Sequence, residues 1–193
     1  MITNHTQLLN ALIEKYGLKS YLEIGVQNPA NNFDKIKAVT KIGVDPECTE
    51  EGIFPMTSDK FFENHNYIFS LIFIDGLHHA DQVKRDFENS LRCLSDNGFI
   101  VIHDVLPENE QGTKVPRETK QWWGDVYKWA MRVRNQKGVN VKTFNIDNGC
   151  MLVWKDLSNS QKFPFIKDND YTDWEWYQAH HRTLMNVTDE VII

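Results

Sequence analysis

The stretch from residue 69 to residue 104 constrains the fold more than any other part of this 193-residue chain. It holds two apolar runs, Phe69 to Ile74 and Phe99 to Ile102. Between them, apolar residues recur at helical spacing from Ala80 to Leu94. A strand, a helix and a second strand in this order predict a βαβ unit, and therefore a parallel sheet.

Polar residues follow both apolar runs at the point where each predicted strand ends. Asp75 follows the first run, with His78 and His79 close behind, and His103 and Asp104 follow the second. In sheets of this kind the chemistry gathers beyond the carboxyl ends of the strands. We therefore expect the five side chains to converge on one crevice.

The rest of the chain alternates between helical and strand patterns, which predicts a Rossmann-like, doubly wound, mostly parallel sheet. An Asp-Asn-Gly turn at 147–149 adds a C-terminal hairpin, whose last strand is antiparallel. We expect helices at 8–16, 28–39, 59–63, 80–94 and 122–134, and strands at 21–26, 41–45, near 54, 67–74, 99–102, 139–146 and 151–154. In the second helix Asn28 is the expected N-cap and Pro29 the first helical residue.

We interpret residues 1–155 as the α/β domain and residues 156–193 as an aromatic, helical extension. This extension is expected to pack on the domain or on a second subunit, as in a homodimer. The net charge of −6 argues against nucleic acid and anionic membranes as partners. Three cysteines without CxxC spacing and no recognisable signal peptide favour a cytoplasmic protein.

Six segments in a fixed order carry a family resemblance: YLEIGV, KIGVDP, TSDKFF, LIFIDGLHH, GFIVIHD and GDVYKW. Together they resemble the class I S-adenosylmethionine-dependent methyltransferases, specifically the branch called methyltransferase domain 24. The resemblance covers roughly residues 18–155 and implies S-adenosylmethionine as the cofactor. The broader class commonly carries ExGxGxG, whereas this chain has Gln27 and Pro29 at the later glycine positions.

The resemblance implies cofactor-binding roles at the ends of the first two strands. Glu23, Gly25 and Gln27 occupy the turn that holds the methionine end of the cofactor, and Glu23 is expected to bind its cationic group. The alternative is that Glu23 caps local backbone. Asp45 ends the second strand 20 residues after Gly25, where an acid accepts hydrogen bonds from ribose hydroxyls. Alternatively, Asp45 and Pro46 only form a turn.

Three further residues complete the predicted cofactor site. Ser58 and Asp59 resemble the positions that meet the adenine in this family, although Ser58 serves equally well as a helix N-cap. Asp75, at the end of its strand, belongs both to the predicted cofactor site and to the predicted catalytic site.

The same resemblance implies a metal site formed by Asp75, His103 and Asp104, where metal-dependent O-methyltransferases place their ligands. Oxygen ligands suit Mg²⁺, while the imidazole of His103 shifts the preference toward Mn²⁺, Fe²⁺ or Zn²⁺. Asp75, His78 and His103 are the predicted catalytic residues, with His78 or His103 as the general base. The alternative for His78 and His79 is a surface pair that caps the following helix.

The predicted function is S-adenosylmethionine-dependent O-methylation of a small or carbohydrate-like hydroxyl acceptor, assisted by Mg²⁺ or another divalent metal. Two alternatives stay open at this point. The Asp and His cluster suits a metal-dependent hydrolase or hydroxylase, and the altered glycine turn suits a non-catalytic cofactor-binding subunit. A dinucleotide-binding oxidoreductase is disfavoured because the GxGxxG motif is missing.

Overall fold

A single sheet organises the computed structural model, which describes residues 1–159, 163 and 171–193. The described strands are β1 (Ser20–Ile24), β2 (Thr40–Val44), β3 (Ile53–Phe54), β4 (Phe69–Ile74), β5 (Leu94–Ile102), β6 (Val139–Phe144), β7 (Cys150–Lys155) and β8 (Val187–Thr188). The described α-helices are α1 (His5–Tyr16), α2 (Ser58–Asn64), α3 (Ala80–Cys93), α4 (Val126–Val133) and α5 (Trp174–Leu184).

The strands lie in the order β3-β2-β1-β4-β5-β7-β6-β8. The first five are parallel, whereas β7 runs antiparallel to both β5 and β6. This order confirms the predicted doubly wound, mostly parallel sheet with an antiparallel hairpin. The winding changes side between β1 and β4, so the crevice outside their carboxyl ends is the expected ligand position.

Side chains alternate across the sheet and build a core on each face. In β4, Leu71 and Phe73 pack toward the face covered by α1, while Ile72 and Ile74 pack with α3 and α4 on the other face. A strand covered on both faces must be continuously apolar, which explains the run seen in the sequence.

The C-terminal extension packs on the same domain. The Tyr177 ring of α5 lies 4.7 Å from the Tyr127 ring of α4, and β8 pairs in parallel with β6. The division at residue 155 and the homodimer stay predictions. Among the helices that the structure describes, none is long and apolar enough to cross a membrane.

The helix predicted over residues 28–39 is wrong, because only a short 3-10 turn forms there, at Phe33–Lys35. Instead of capping a helix, the Asn28 side chain accepts a hydrogen bond from the Ala30 N–H at 3.0 Å. The Asn32 side chain is also drawn away, into the buried interior. Asparagine side chains compete with helical hydrogen bonds in this way.

The helix predicted from Trp122 begins only at Val126. The cause is Gly124, which has a φ of 60° and lies so close to His78 that a Cβ there would stand 1.8 Å from the His78 carbonyl oxygen. Trp122 and Trp123 therefore lie in the loop before α4, and Trp122 is free to turn toward His78.

Two smaller boundaries also differ from prediction. Thr57, rather than Ser58, is the N-cap of α2, with its side chain accepting from the Lys60 N–H. The strand predicted at 99–102 begins earlier, since α3 ends at Cys93 and β5 already begins at Leu94.

Candidate active site at the carboxyl edge of the sheet

The structure brings Asp75, His78, His103 and Asp104 together at the carboxyl edge. The His103 Nδ1 lies 3.1 Å from Asp75 Oδ1 and 3.4 Å from Asp104 Oδ1. The His78 ring bridges the same two acids, with Nε2 3.6 Å from Asp75 Oδ1 and Nδ1 3.5 Å from Asp104 Oδ2. They meet because β4 and β5 are parallel neighbours. His79 stands instead at the N-cap position of α3, without a side-chain cap.

Asp75 and His103 form an ion pair at neutral pH, in which His103 is buried and Asp75 is partly exposed. Burial by itself raises the pKa of Asp75, but the charge and hydrogen bond of His103 outweigh it and hold this pKa well below its usual range. Burial likewise lowers the pKa of His103, yet the negative charges of Asp75, Asp104 and Asp147 raise it to about 9. Each partner therefore favours the charged form of the other.

Asp104 is held in a strained and incompletely bonded position. Its φ of 57° lies in the left-handed region, which costs a non-glycine residue roughly 1–2 kcal/mol. Only 6% of the residue is exposed, and its Oδ1 has no hydrogen-bond partner among the described residues. Burial raises its pKa despite the opposing charge of His103. A buried carboxylate oxygen without a donor suits a cation.

His78 is the member of the cluster best placed to reach a substrate. Its side chain is 20% exposed, and its ring stacks on Trp122 with the centroids 5.2 Å apart. Burial lowers its pKa, but Asp75 and Asp104 reverse the effect and raise the pKa above its ordinary value.

Two residues that sequence reasoning missed, His5 and Asp147, lie beside the cluster. The His5 Nδ1 is 2.6 Å from Asp147 Oδ2, which in turn is 3.8 Å from the His103 Nε2. The position of Asp147 had a signal, because the turn before an antiparallel β7 must lie at the edge where β5 ends. His5 had none, since the packing of α1 decides where its first residue lies.

Glu23 lies in a closed polar cluster inside the domain. It is 2% exposed, and its Oε2 accepts hydrogen bonds from the Tyr21 hydroxyl at 2.6 Å and the Asn32 amide at 2.8 Å. Burial raises its pKa to about 7. Both contacts shown are with side chains rather than with the local backbone, and the contact of Glu23 with the cofactor stays a prediction.

The turns after β1 and β2 are tied together by Asp45. Its Oδ2 accepts from the Gln27 backbone N–H and its Oδ1 from the Glu47 N–H, both at 2.8 Å. Gly25 is fixed by a close approach, since a Cβ there would lie 2.2 Å from the Asp75 carbonyl oxygen. This contact places the predicted cofactor turn directly beside Asp75.

Ser58 and Asp59 lie in the first turn of α2 and face α3. The amide of Gln82 donates to Ser58 Oγ at 3.1 Å, to Asp59 Oδ1 at 3.3 Å and to Asp86 Oδ1 at 3.0 Å. The contacts shown are structural links between the two helices, and the adenine contact stays a prediction.

Two groups of side chains at this edge could hold a metal ion. One ligand atom from each of Asp75, His78 and Asp104 lies within 4.8 Å of the others, and the same is true of His5, His103 and Asp147. The predicted set paired Asp75 and Asp104 with His103, whereas this first grouping pairs them with His78. Two carboxylates and one imidazole are an acceptable donor set for a divalent cation.

Comparison with known proteins agrees with this architecture. Residues 48–105 match the family model of a methyltransferase domain, Methyltransf_24. The matched stretch runs through β3, α2, β4, α3 and β5, and it includes Asp75, His78, His103 and Asp104.

Several solved structures share the fold. A candidate caffeoyl-CoA O-methyltransferase from Staphylococcus aureus is 22% identical, with a TM-score of 0.58 over 81% of this chain and 86% of that one. An O-methyltransferase from Bacillus cereus in complex with S-adenosylhomocysteine is 15% identical, with a TM-score of 0.56 over 78% and 80%. MycE, from the mycinamycin pathway, in complex with Mg, S-adenosylhomocysteine and mycinamycin VI, is 15% identical, with a TM-score of 0.53 over 81% and 50%.

At these identities the solved structures establish the fold alone, and the family match is limited to residues 48–105. The segments that suggested the resemblance lie in the matched stretch, in β1 and β2, and at the start of α4. The match over residues 48–105 and the shared fold together support an S-adenosylmethionine-dependent methyltransferase that is similar to the Methyltransf_24 family.

Proposed function

We propose that this protein methylates a hydroxyl oxygen of a small or carbohydrate-like acceptor and that a divalent cation assists the reaction. One observation carries the proposal: Asp75 belongs to both halves of the site. Its backbone meets Gly25 of the cofactor turn, and its carboxylate meets His103 and His78. A methyl donor and an acceptor hydroxyl would thus lie on neighbouring strand ends, as an in-line displacement requires.

The cofactor, when bound, supplies a methyl group on a sulfonium sulfur. Asp45 is the residue best prepared to hold its ribose, because two backbone N–H groups fix the carboxylate and each oxygen keeps a lone pair. The B. cereus and MycE structures both contain S-adenosylhomocysteine, which supports the same cofactor here.

His78 is the proposed general base for the acceptor hydroxyl. It reaches solvent, and the two acids that flank it stabilise the imidazolium formed when it takes the proton. His103 is already protonated at neutral pH, so it positions Asp75 rather than accepting a proton.

Asp75 and Asp104, with His78, are the residues that would hold the cation. The feature that fits it is Asp104 Oδ1, which has no hydrogen-bond partner among the described residues, and MycE supplies a similar fold with Mg bound. A bound cation would acidify a hydroxyl that coordinates it. His78 either completes this cation site or takes the proton, and turnover in a cation-free assay distinguishes the two roles.

A groove of about 410 Å³ between α3 and α4, lined by the residues on either side of His78 but not by His78 itself, is the proposed acceptor surface. Its lining includes Leu77, His79 and Val115, and it extends to Lys128 and Trp129. The volume falls within the range of small-molecule sites, roughly 300–1,000 Å³. Leu77 and Val115 are exposed apolar side chains, which suits one face of a sugar or an aromatic ring.

The first experiment is calorimetric titration with S-adenosylmethionine and S-adenosylhomocysteine, with and without Mg²⁺. We expect both to bind the wild type, and Asp45→Ala to bind at least tenfold more weakly. Asp96→Ala is the matched control, because the Asp96 side chain is fully exposed at the opposite end of β5.

Turnover then follows from the release of S-adenosylhomocysteine across a panel of catechols and sugars. Absence of cofactor binding under every condition would refute the proposal. If Asp45→Ala binds the cofactor as tightly as the wild type, another residue must hold the ribose.

A further inference from the structure

The His103 ring faces two different sets of partners. Its Nδ1 faces Asp75 and Asp104, as described above. Its Nε2 is buried, has no hydrogen-bond partner among the described residues, and faces Asp147 Oδ2 at 3.8 Å. The side chain is only 7% exposed. A buried ring nitrogen without a partner costs free energy. While Nδ1–H stays donated to Asp75, a metal ion that displaces the proton from Nε2 to solvent would supply that partner.

His5 and Asp147 stand where such a ligand would bind. One ligand atom of each lies within 4.8 Å of the His103 atom and of the other. The three residues come from the start of α1, the end of β5 and the turn between β6 and β7. His5 and Asp147 have side chains 21% and 27% exposed, so an ion could enter from solvent.

From this arrangement we propose a second metal site, formed by His5, His103 and Asp147, that takes a divalent transition metal. It goes beyond the methyl-transfer site, which uses Asp75, His78 and Asp104. Two imidazoles and one carboxylate favour Mn²⁺, Fe²⁺, Co²⁺ or Zn²⁺ over Mg²⁺, and three protein ligands leave positions open for water. The His103 ring lies between the two sites, with Nδ1 facing Asp75 and Asp104 and Nε2 facing Asp147.

A backbone contact of Asp147 suggests an alternative, in which Asp147 has only a structural role. The test must distinguish this role from metal binding. Asp147 Oδ2 also accepts the His5 backbone N–H at 2.9 Å, so Asp147 anchors the start of α1 even without an ion. Stability from that anchor is independent of metal, whereas stability from the proposed site rises with metal concentration.

The experiment is a Co²⁺ titration of metal-free protein without an affinity tag, followed by visible absorption and by metal analysis of the dialysed protein. We expect the wild type to develop a visible d–d band and a raised Tm. In His5→Gln the Co²⁺ affinity should fall at least tenfold and the metal-dependent rise in Tm should disappear. His78→Gln should keep the band, because His78 belongs only to the other grouping, with Asp75 and Asp104.

Two controls close the design. His180 and His181 form an adjacent pair on α5, so the double variant His180→Gln, His181→Gln tests for surface binding. Asp147→Asn keeps a side-chain acceptor for the α1 anchor, which protects folding. If His5→Gln and Asp147→Asn both bind Co²⁺ with the wild-type band, or if only the surface variant loses it, the proposed site is wrong.

Titration of His5→Gln with S-adenosylhomocysteine separates this inference from the proposed function. Unchanged cofactor binding with a lost Co²⁺ band supports the second site. A Co²⁺ band in a wild type that binds no cofactor would overturn the proposed function alone.

Discussion

Glu23 and Asp75 lie toward the carboxyl ends of neighbouring parallel strands, β1 and β4, yet the structure gives them opposite protonation tendencies. Glu23 is surrounded by the neutral donors Tyr21 and Asn32, so burial dominates and raises its pKa to about 7. Asp75 meets the imidazoles of His103 and His78, which hold its pKa well below its usual range in spite of burial. The side chains that each acid contacts, rather than its place on the strand, decide which acid is charged.

The two acids also differ in exposure, and this difference suggests a structural role for Glu23 and a catalytic role for Asp75. Glu23 is closed into the interior, whereas the Asp75 side chain is 26% exposed and lies beside His78, which also reaches solvent. A charged acid that holds two histidines at an open edge can support proton transfer. A half-protonated acid locked between a tyrosine and an asparagine chiefly holds β1 to the turn that follows it.

The largest expected effect is the loss of turnover when Asp75 is replaced. Asp75→Asn removes the charge that orients His78 and His103, so we expect turnover to fall by roughly 10²–10⁴-fold, the range for lost acid–base catalysis. Release of S-adenosylhomocysteine measures it, with Asp96→Asn as the exposed control. A loss smaller than fivefold would mean that the chemistry does not depend on this acid.

The next effect concerns stability on the Glu23 side. The pKa of Glu23 rises from its ordinary 4.5 to about 7 in the folded protein, so its stabilising contribution is complete below pH 4.5 and is lost as pH rises through 7. Relative to Glu23→Gln, the wild type should lose roughly 3 kcal/mol of unfolding free energy between pH 4 and pH 8.

Denaturant unfolding of both proteins at several pH values measures this difference. A difference that stays constant with pH would show that Glu23 is not held protonated. Cofactor titration of Glu23→Gln tests its functional role. A tenfold loss of affinity would support the predicted contact between Glu23 and the cationic end of the cofactor.

The smallest effect lies at the turn that joins the two regions. Gln27 has a φ of 52°, and only its backbone N–H is seen to bind Asp45. Gln27→Gly should therefore change the unfolding free energy by less than about 1 kcal/mol, in the stabilising direction, because glycine adopts this conformation freely. Cofactor affinity should stay within threefold.

Gln27→Ala is the matched control, since it shortens the side chain but keeps the backbone restriction. If both variants bind the cofactor more than tenfold better than the wild type, the Gln27 side chain obstructs the site. If only the glycine variant does, the conformation of the turn is limiting.

Much of the fold followed from local pattern. The continuous apolar runs in β4 and β5 favoured strands covered on both faces, and the Asp-Asn-Gly turn favoured a hairpin. Because parallel strands end at one edge, the meeting of Asp75, His103 and Asp104 was implied by the order of the elements alone. The helix predicted after β1 was wrong because the side chains of Asn28 and Asn32 make hydrogen bonds other than a helix cap.

The sequence by itself determined the architecture and the edge where the chemistry lies, since both depend on periodicity and chain direction. Tertiary structure alone decided which partners those acids meet. It placed His5 beside His103, turned Trp122 onto His78 and gave Glu23 neutral neighbours. Charge state and metal affinity depend on distances of a few ångströms between residues far apart in the chain, and no local pattern encodes those distances.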